Sequence, residues 1–256
     1  MSTSNLTSLA WTLVVIIYAI RLVLGLDPAS EDVWSHLFRG ENGVLDRAEA
    51  VLWVPAIILN IRLFLAAFKG RKVSVASGWF LAMSLLLIVL FGEEVSWGEY
   101  VFGFAAPEVM QEVNAQHELN FHTLNLSYLL GIPQDNSLYP FLSNFNHILN
   151  PAFYLFCCLL FIGLPVARRR ATWRVLEDIP VPRNDIVLFF SANVAAYLVV
   201  DKLIIDVAEI FEFGIVTTFA LAALDIYRES RSTWQEEPSA RAAANPARLA
   251  GSPSHR

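Results

Sequence analysis

Between Val95 and Asn146 the chain has no lysine or arginine at all. Charge is scarce elsewhere too: 16% of the 256 residues are charged, against about 25% in an ordinary soluble domain. So few charges cannot clothe a fold of this length in water, which excludes water as its main solvent. The only cysteines, Cys157 and Cys158, are adjacent inside an apolar run, which excludes a disulfide framework and leaves them as small core or lipid-facing side chains. No basic face is interleaved with aromatics, so nucleic acid is excluded as a partner. A glycine-rich phosphate loop, a GxSxG elbow and an HExxH motif are all missing. So is any internal repeat of the kind that builds the inverted halves of a secondary transporter. The first apolar run has no basic stretch before it and no clean small-x-small site after it, so it reads as a retained span rather than a signal peptide.

What is present is apolar sequence in long runs. Hydrophobic residues make up 55% of the chain and mean hydropathy is +0.49. The runs fall at about 9–26, 48–68, 75–92, 148–167, 186–200 and 210–227, close to the length that crosses a bilayer and unlike the short alternating segments of a soluble core. The expected fold is therefore all-α, a polytopic transmembrane helix bundle, with a polar loop over 95–146 and a tail over 231–256 whose composition predicts disorder. Basic residues orient the spans. Lys69, Arg71 and Lys72 follow the second run, Arg168, Arg169, Arg170, Arg174 and Arg183 follow the fourth, and Arg228 and Arg231 follow the sixth. If these are cytoplasmic, the chain has six spans with both termini in the cytoplasm and the 95–146 loop outside. Five spans, with the last two runs fused into one tilted helix, would put the arginine-bearing tail outside.

This topology gathers the unusual polar residues at one depth. Glu49 opens the second span, Glu93 and Glu94 close the third, His147 precedes the fourth, and Asp206, Glu209 and Glu212 open the sixth. Acids at the edge of a bilayer are costly unless they pair, bind a cation or line water, so they are functional candidates. The loop adds Gly92-Glu93-Glu94-Val95-Ser96-Trp97-Gly98-Glu99 and then Asn114-Ala115-Gln116-His117-Glu118-Leu119-Asn120-Phe121-His122. As a helix, the second string would put Glu118 and His122 on one face. As a strand, it would align Asn114, Gln116, Glu118, Asn120 and His122. Either arrangement collects groups for acid–base work or for oxygen and nitrogen ligation of a metal. A plainer reading makes Glu93 and Glu94 boundary markers, Trp97 an interfacial anchor and the histidines ordinary loop residues.

The strings GEEVSWGEYVFGF and NAQHELNFHTLN resemble the signature of a family of uncharacterised bacterial multi-pass membrane proteins, GEEISWGQ followed by N-x-Q-x-E-x-N-x-H-N. Glu93, Glu94, Ser96, Trp97, Gly98, Asn114, Gln116, Glu118, Asn120 and His122 fit the pattern. Glu99 and Thr123 depart from it. The resemblance implies a bacterial inner-membrane location and a single unit made of both strings, but no reaction.

The functional expectation is a membrane-embedded hydrolase or group transferase acting on a lipid or lipid-linked substrate at the outer leaflet. Glu93, Glu94, Glu118 and His122 are its expected catalytic centre. Glu49, Ser96, Trp97, Asn114, Gln116, Asn120, Glu209 and Glu212 are its expected binding residues. A divalent metal is left open as a cofactor. Two alternatives stand beside it: an ion- or proton-coupled transporter, and a non-catalytic subunit that docks a protein partner through the outer loop.

Overall fold

The computed structural model describes residues 2–25, 43–68, 74–170, 173–202 and 207–244. The basic cluster Lys69, Arg71 and Lys72, the acid Asp206 and the end of the C-terminal tail lie outside these residues. The described residues form helices and turns, with one isolated antiparallel bridge between Asn114 and Leu124 and no strand. Six helices are long: α1 (Thr3–Gly25), α2 (Val44–Phe68), α3 (Val75–Glu94), α4 (Asn146–Arg170), α5 (Asn184–Val200) and α6 (Ala208–Ala244). Five of them are long and apolar enough to cross a membrane; α5 is apolar but shorter, at 17 residues.

The polar residues within these helices mostly satisfy themselves. Thr7, Ser84, Ser191 and Thr218 donate their hydroxyls to the carbonyl four residues back, and Asn60 donates Nδ2 to Ala56 O. Such back-bonding removes the penalty of a bare hydroxyl in an apolar setting. Ser74 caps α3 in a reciprocal box with Ser77, meeting two otherwise unpaired backbone donors. In α4 a π-helical turn over Leu159–Gly163 precedes Pro165, whose ring and missing N–H forbid a regular α-turn there.

The last helix is the axis of the bundle. In the apolar window of α6, 72% of residues are buried, against 22% to 33% in the other long helices. Contacts fix how the rest surround it. Trp53 packs on Phe219, while Tyr154 donates to Glu212 and Phe161 packs on Phe219, so α2 and α4 run parallel to α6. Arg183 binds Asp225 while Tyr197 stacks on Phe211, so α5 runs antiparallel to it. Arg228 donates to Thr3 Oγ1, and α1 likewise runs antiparallel. Helix α3 returns along α2, with Glu94 beside Glu49 at one end and Trp79 and Met83 beside Asn60 towards the other. Outward faces are apolar: Val15, Ile16, Val51, Leu85, Leu155 and Leu188 are all exposed. Arg21, by contrast, is buried, so it turns into the bundle rather than reaching along its surface.

Two joins differ from expectation or refine it. The runs at 186–200 and 210–227 are separate helices, α5 and α6, packed as an antiparallel pair. Gly214 makes their close approach feasible, because a Cβ there would lie 2.2 Å from Asn193 Nδ2. Helix α6 then continues to Ala244, so the first part of the tail is helical where composition predicted disorder. Extending an existing helix avoids the cost of nucleation, and alanine, glutamate and arginine extend it readily.

Candidate functional site

The acids meet at the end of the bundle where α2, α4 and α6 begin and α3 ends. A cavity of about 700 Å³ opens there, within the roughly 300–1,000 Å³ usual for small-ligand sites. Glu49 comes from α2, Glu93 and Glu94 from α3, Glu212 from α6, and His122 from the loop. Leu86, Leu90, Leu149, Phe153, Phe156 and Val216 make much of the remaining wall. Four carboxylates thus share one cavity, and among the described residues no lysine or arginine lines it. Below them Asp46 and Glu209 are joined by a side-chain hydrogen bond, and both lie within electrostatic reach of Glu49.

The loop is held over this cavity by three carboxylates that act as acceptors. Glu93 Oε1 accepts from Trp97 Nε1 (2.6 Å), and its Oε2 accepts from the Phe121 and His122 backbone and from His122 Nδ1. Glu99 accepts from Ala106 N (3.0 Å) and Leu119 N (2.9 Å). Glu118 accepts from Ser96 Oγ (2.5 Å) and Asn120 Nδ2 (2.9 Å). Asn114 completes the knot: its Nδ2 donates to Asn120 O and Oδ1, and its Oδ1 accepts from Gln116 N and Thr123 Oγ1. Charge-assisted bonds of this kind are about twice as strong as neutral ones. They hold an unusual backbone, since Ser96 (φ 44°), Trp97 (φ 51°) and Gly98 (φ 92°) are consecutive left-handed residues. Two non-glycine residues in that region are costly and persist only where the surroundings over-determine them. Here Ser96 is tied to Glu118, and the Trp97 indole lies against Gly92, where a Cβ would meet it at 3.0 Å.

The segment 114–122 is neither the helix nor the strand expected. It is a run of turns, with His117 left-handed (φ 63°) and Ala115 N donating to Thr123 O. Its alternating polar residues therefore serve different ends. Asn114, Glu118 and Asn120 are buried in the loop's own network and Ser96 with them, while Gln116 is exposed. None of these five lines the cavity. Glu118 thus ties the loop together and does not line the cavity that the other expected catalytic residues share. Glu209 also stays off the cavity wall, hydrogen-bonded to Asp46 one helical turn before Glu212. His147 is exposed, with Nδ1 against Pro140 O.

Of the expected residues, Glu49, Glu93, Glu94, Trp97, His122 and Glu212 do line the cavity. Four contributors were missed: Asn146 and Asn150 on the first turns of α4, Trp53 on α2, and Tyr154, which donates to Glu212 Oε1 at 2.5 Å from beside the cavity. Asn146 and Asn150 are four apart at the start of an apolar run, a same-face pair that pattern reading could have flagged.

His122 has one ring nitrogen fixed by a carboxylate. A carboxylate only accepts, so Nδ1 carries the proton shared with Glu93 Oε2 at 3.1 Å. Among the described residues Nε2 has no hydrogen-bond partner. A carboxylate fixing one imidazole nitrogen so that the other can take a proton is the orienting logic of acid–base dyads. Comparison with known proteins finds no matching family model, no similar curated protein and no similar solved structure. The site therefore has to be read from its own chemistry. Among the described residues, no three His, Cys, Asp or Glu side chains are grouped so as to hold a metal ion.

Proposed function

We propose that this chain is an integral membrane enzyme, a hydrolase or group transferase acting on a lipid or lipid-linked substrate at the outer leaflet. The observation that carries it is the convergence of Glu49, Glu94 and Glu212, from three helices, with the Glu93–His122 pair on one apolar-walled cavity. Such a cavity suits an amphiphile, with the tail along Leu86, Phe153 and Phe156 and the head among the acids. In this reading His122 Nε2 takes the proton of an attacking water or hydroxyl, and the Glu94 carboxyl gives one to the leaving oxygen.

Six spans with both termini in the cytoplasm fit the same reading. The alternating directions of the six long helices put Arg168–Arg170, Arg183 and Arg228 at one end of the bundle and the acids at the other. That is the charge asymmetry of a bilayer protein whose basic end faces the cytoplasm. Exposed aliphatic side chains on the outer faces of the helices and buried polar ones between them suit a hydrocarbon solvent. At 17 residues α5 sits at the short end of the range for a span.

The test is turnover of a lipid panel by the purified full chain in nanodiscs, read by mass spectrometry, with His122→Ala and Glu94→Gln as variants. Loss of a substrate in wild type, abolished in both variants, supports the reading. Turnover that is unaffected by either variant refutes it. Transport is the second reading, favoured by the π-helical turn at Leu159–Gly163 in α4, because such turns inside helices recur at functional sites. Proton- or sodium-dependent flux without turnover would select it.

A further inference from the structure

Among the described residues, four buried side-chain polar atoms lack a hydrogen-bond partner: Glu49 Oε1, Trp53 Nε1, Asn146 Oδ1 and Thr217 Oγ1. The first three belong to residues that line the same cavity, and Glu49 and Trp53 are each only 3% exposed. Leaving such groups unpaired is expensive, so their concentration at one place points to a ligand rather than to chance. Their chemistry restricts that ligand. The Asn146 oxygen accepts, the Glu49 carboxyl accepts and, when protonated, also donates, and the Trp53 indole can only donate. A group bound in the cavity that met all three would have to offer both hydrogen-bond donors and an acceptor.

We infer that the cavity takes an uncharged, hydroxyl-bearing lipid headgroup, a glycosyl or glycerol moiety, held by Glu49, Trp53 and Asn146. This deepens the enzyme reading and rests on it for the site's role, though not for the binding. Vicinal hydroxyls both donate and accept, so they serve all three orphan atoms. A phosphate accepts only and would enter among four carboxylates with, among the described residues, no lysine or arginine on the wall. A quaternary ammonium has no proton to donate, and a primary ammonium leaves Trp53 Nε1 unmet. The aliphatic and aromatic wall beyond the acids then receives the start of the tail.

The inference is tested by native mass spectrometry of the purified full chain titrated with glucosyl-diacylglycerol, monoacylglycerol, phosphatidylethanolamine and phosphatidylcholine. Saturable binding of either hydroxyl lipid, about tenfold tighter than both phospholipids, is expected. The first two arms separate a glycosyl from a glycerol head. Trp53→Phe, which keeps the ring and removes the donor, should weaken the hydroxyl lipid about tenfold and leave the phospholipids unchanged. Asn146→Ala supplies a second variant, should Trp53→Phe fold poorly. Equal binding of all four lipids, or a phospholipid preference, overturns the inference. Binding of a hydroxyl lipid without turnover upholds it and counts only against the enzyme reading. Turnover of a phospholipid alone does the reverse.

Discussion

Glu93 Oε2 accepts three hydrogen bonds from one corner of the loop: from Phe121 N (2.7 Å), His122 N (3.0 Å) and His122 Nδ1 (3.1 Å). A single carboxylate oxygen at the end of α3 thus sets both where the loop lies and which way its histidine faces. The two effects can be separated. His122→Ala should lower turnover by about 10²- to 10⁴-fold, the usual worth of a positioned base, with thermal stability little changed. Glu93→Ala should lower both, and hydrogen exchange at 121–122 should rise. Unchanged turnover in His122→Ala would remove the histidine from the mechanism.

Glu118 should behave as a structural residue. Its carboxylate ties Ser96 to Asn120 inside the loop and does not reach the cavity. Glu118→Ala leaves buried donors unpaired and should cost about 1–3 kcal/mol of stability. Once folded, the variant should keep its KM within a fewfold. A selective fall in kcat at full stability would return Glu118 to the active site.

Glu49 should show the opposite pattern. It is buried, surrounded by other acids, and its Oε1 has no partner. Glu49→Leu therefore removes an unmet group and fills similar volume, so the protein should gain about 1–3 kcal/mol in stability. Ligand binding and turnover should fall together. A destabilised Glu49→Leu protein in nanodiscs would show that the carboxylate has a structural role instead.

The α5–α6 pair has its own test. Gly214→Ala drives a methyl group into Asn193 Nδ2 and should cost about 1–3 kcal/mol by overpacking. Asn193 also donates to Phe211 O at 2.9 Å, so Asn193→Ala is destabilising alone. The double variant should be less damaged than the sum of the two, because the smaller side chain removes the clash. Strict additivity in chemical denaturation would mean the two residues do not touch.

Orientation in the membrane is open to cysteine labelling. With Cys157 and Cys158 replaced by serine, a cysteine at exposed Gln111 or Tyr128 should react with an impermeant maleimide added to intact cells. A cysteine at exposed Trp173, just past Arg168–Arg170, should react only after lysis. The reverse pattern would place the acidic end in the cytosol and end the outer-leaflet reading.

The apolar runs by themselves settled that this is a bundle of long helices, because spanning length and hydropathy are local properties of a chain. They also located its acids, since Glu49, Glu93, Glu94 and Glu212 stand out in so uncharged a sequence. What the pattern of 114–122 could not reveal was its conformation. Its polar alternation is equally consistent with two periods, and the backbone obeys neither, because Glu93 and Glu99 draw its N–H groups into turns while Glu118 ties Ser96 to the Asn120 side chain. Only packing in three dimensions decided which polar residues face the cavity and which face one another. A carboxylate twenty or thirty residues away can claim a donor that local sequence would assign to a helix or strand. For the same reason Trp53 and Asn146 emerged as site residues only from the folded chain, being unremarkable until the cavity left their polar atoms without partners.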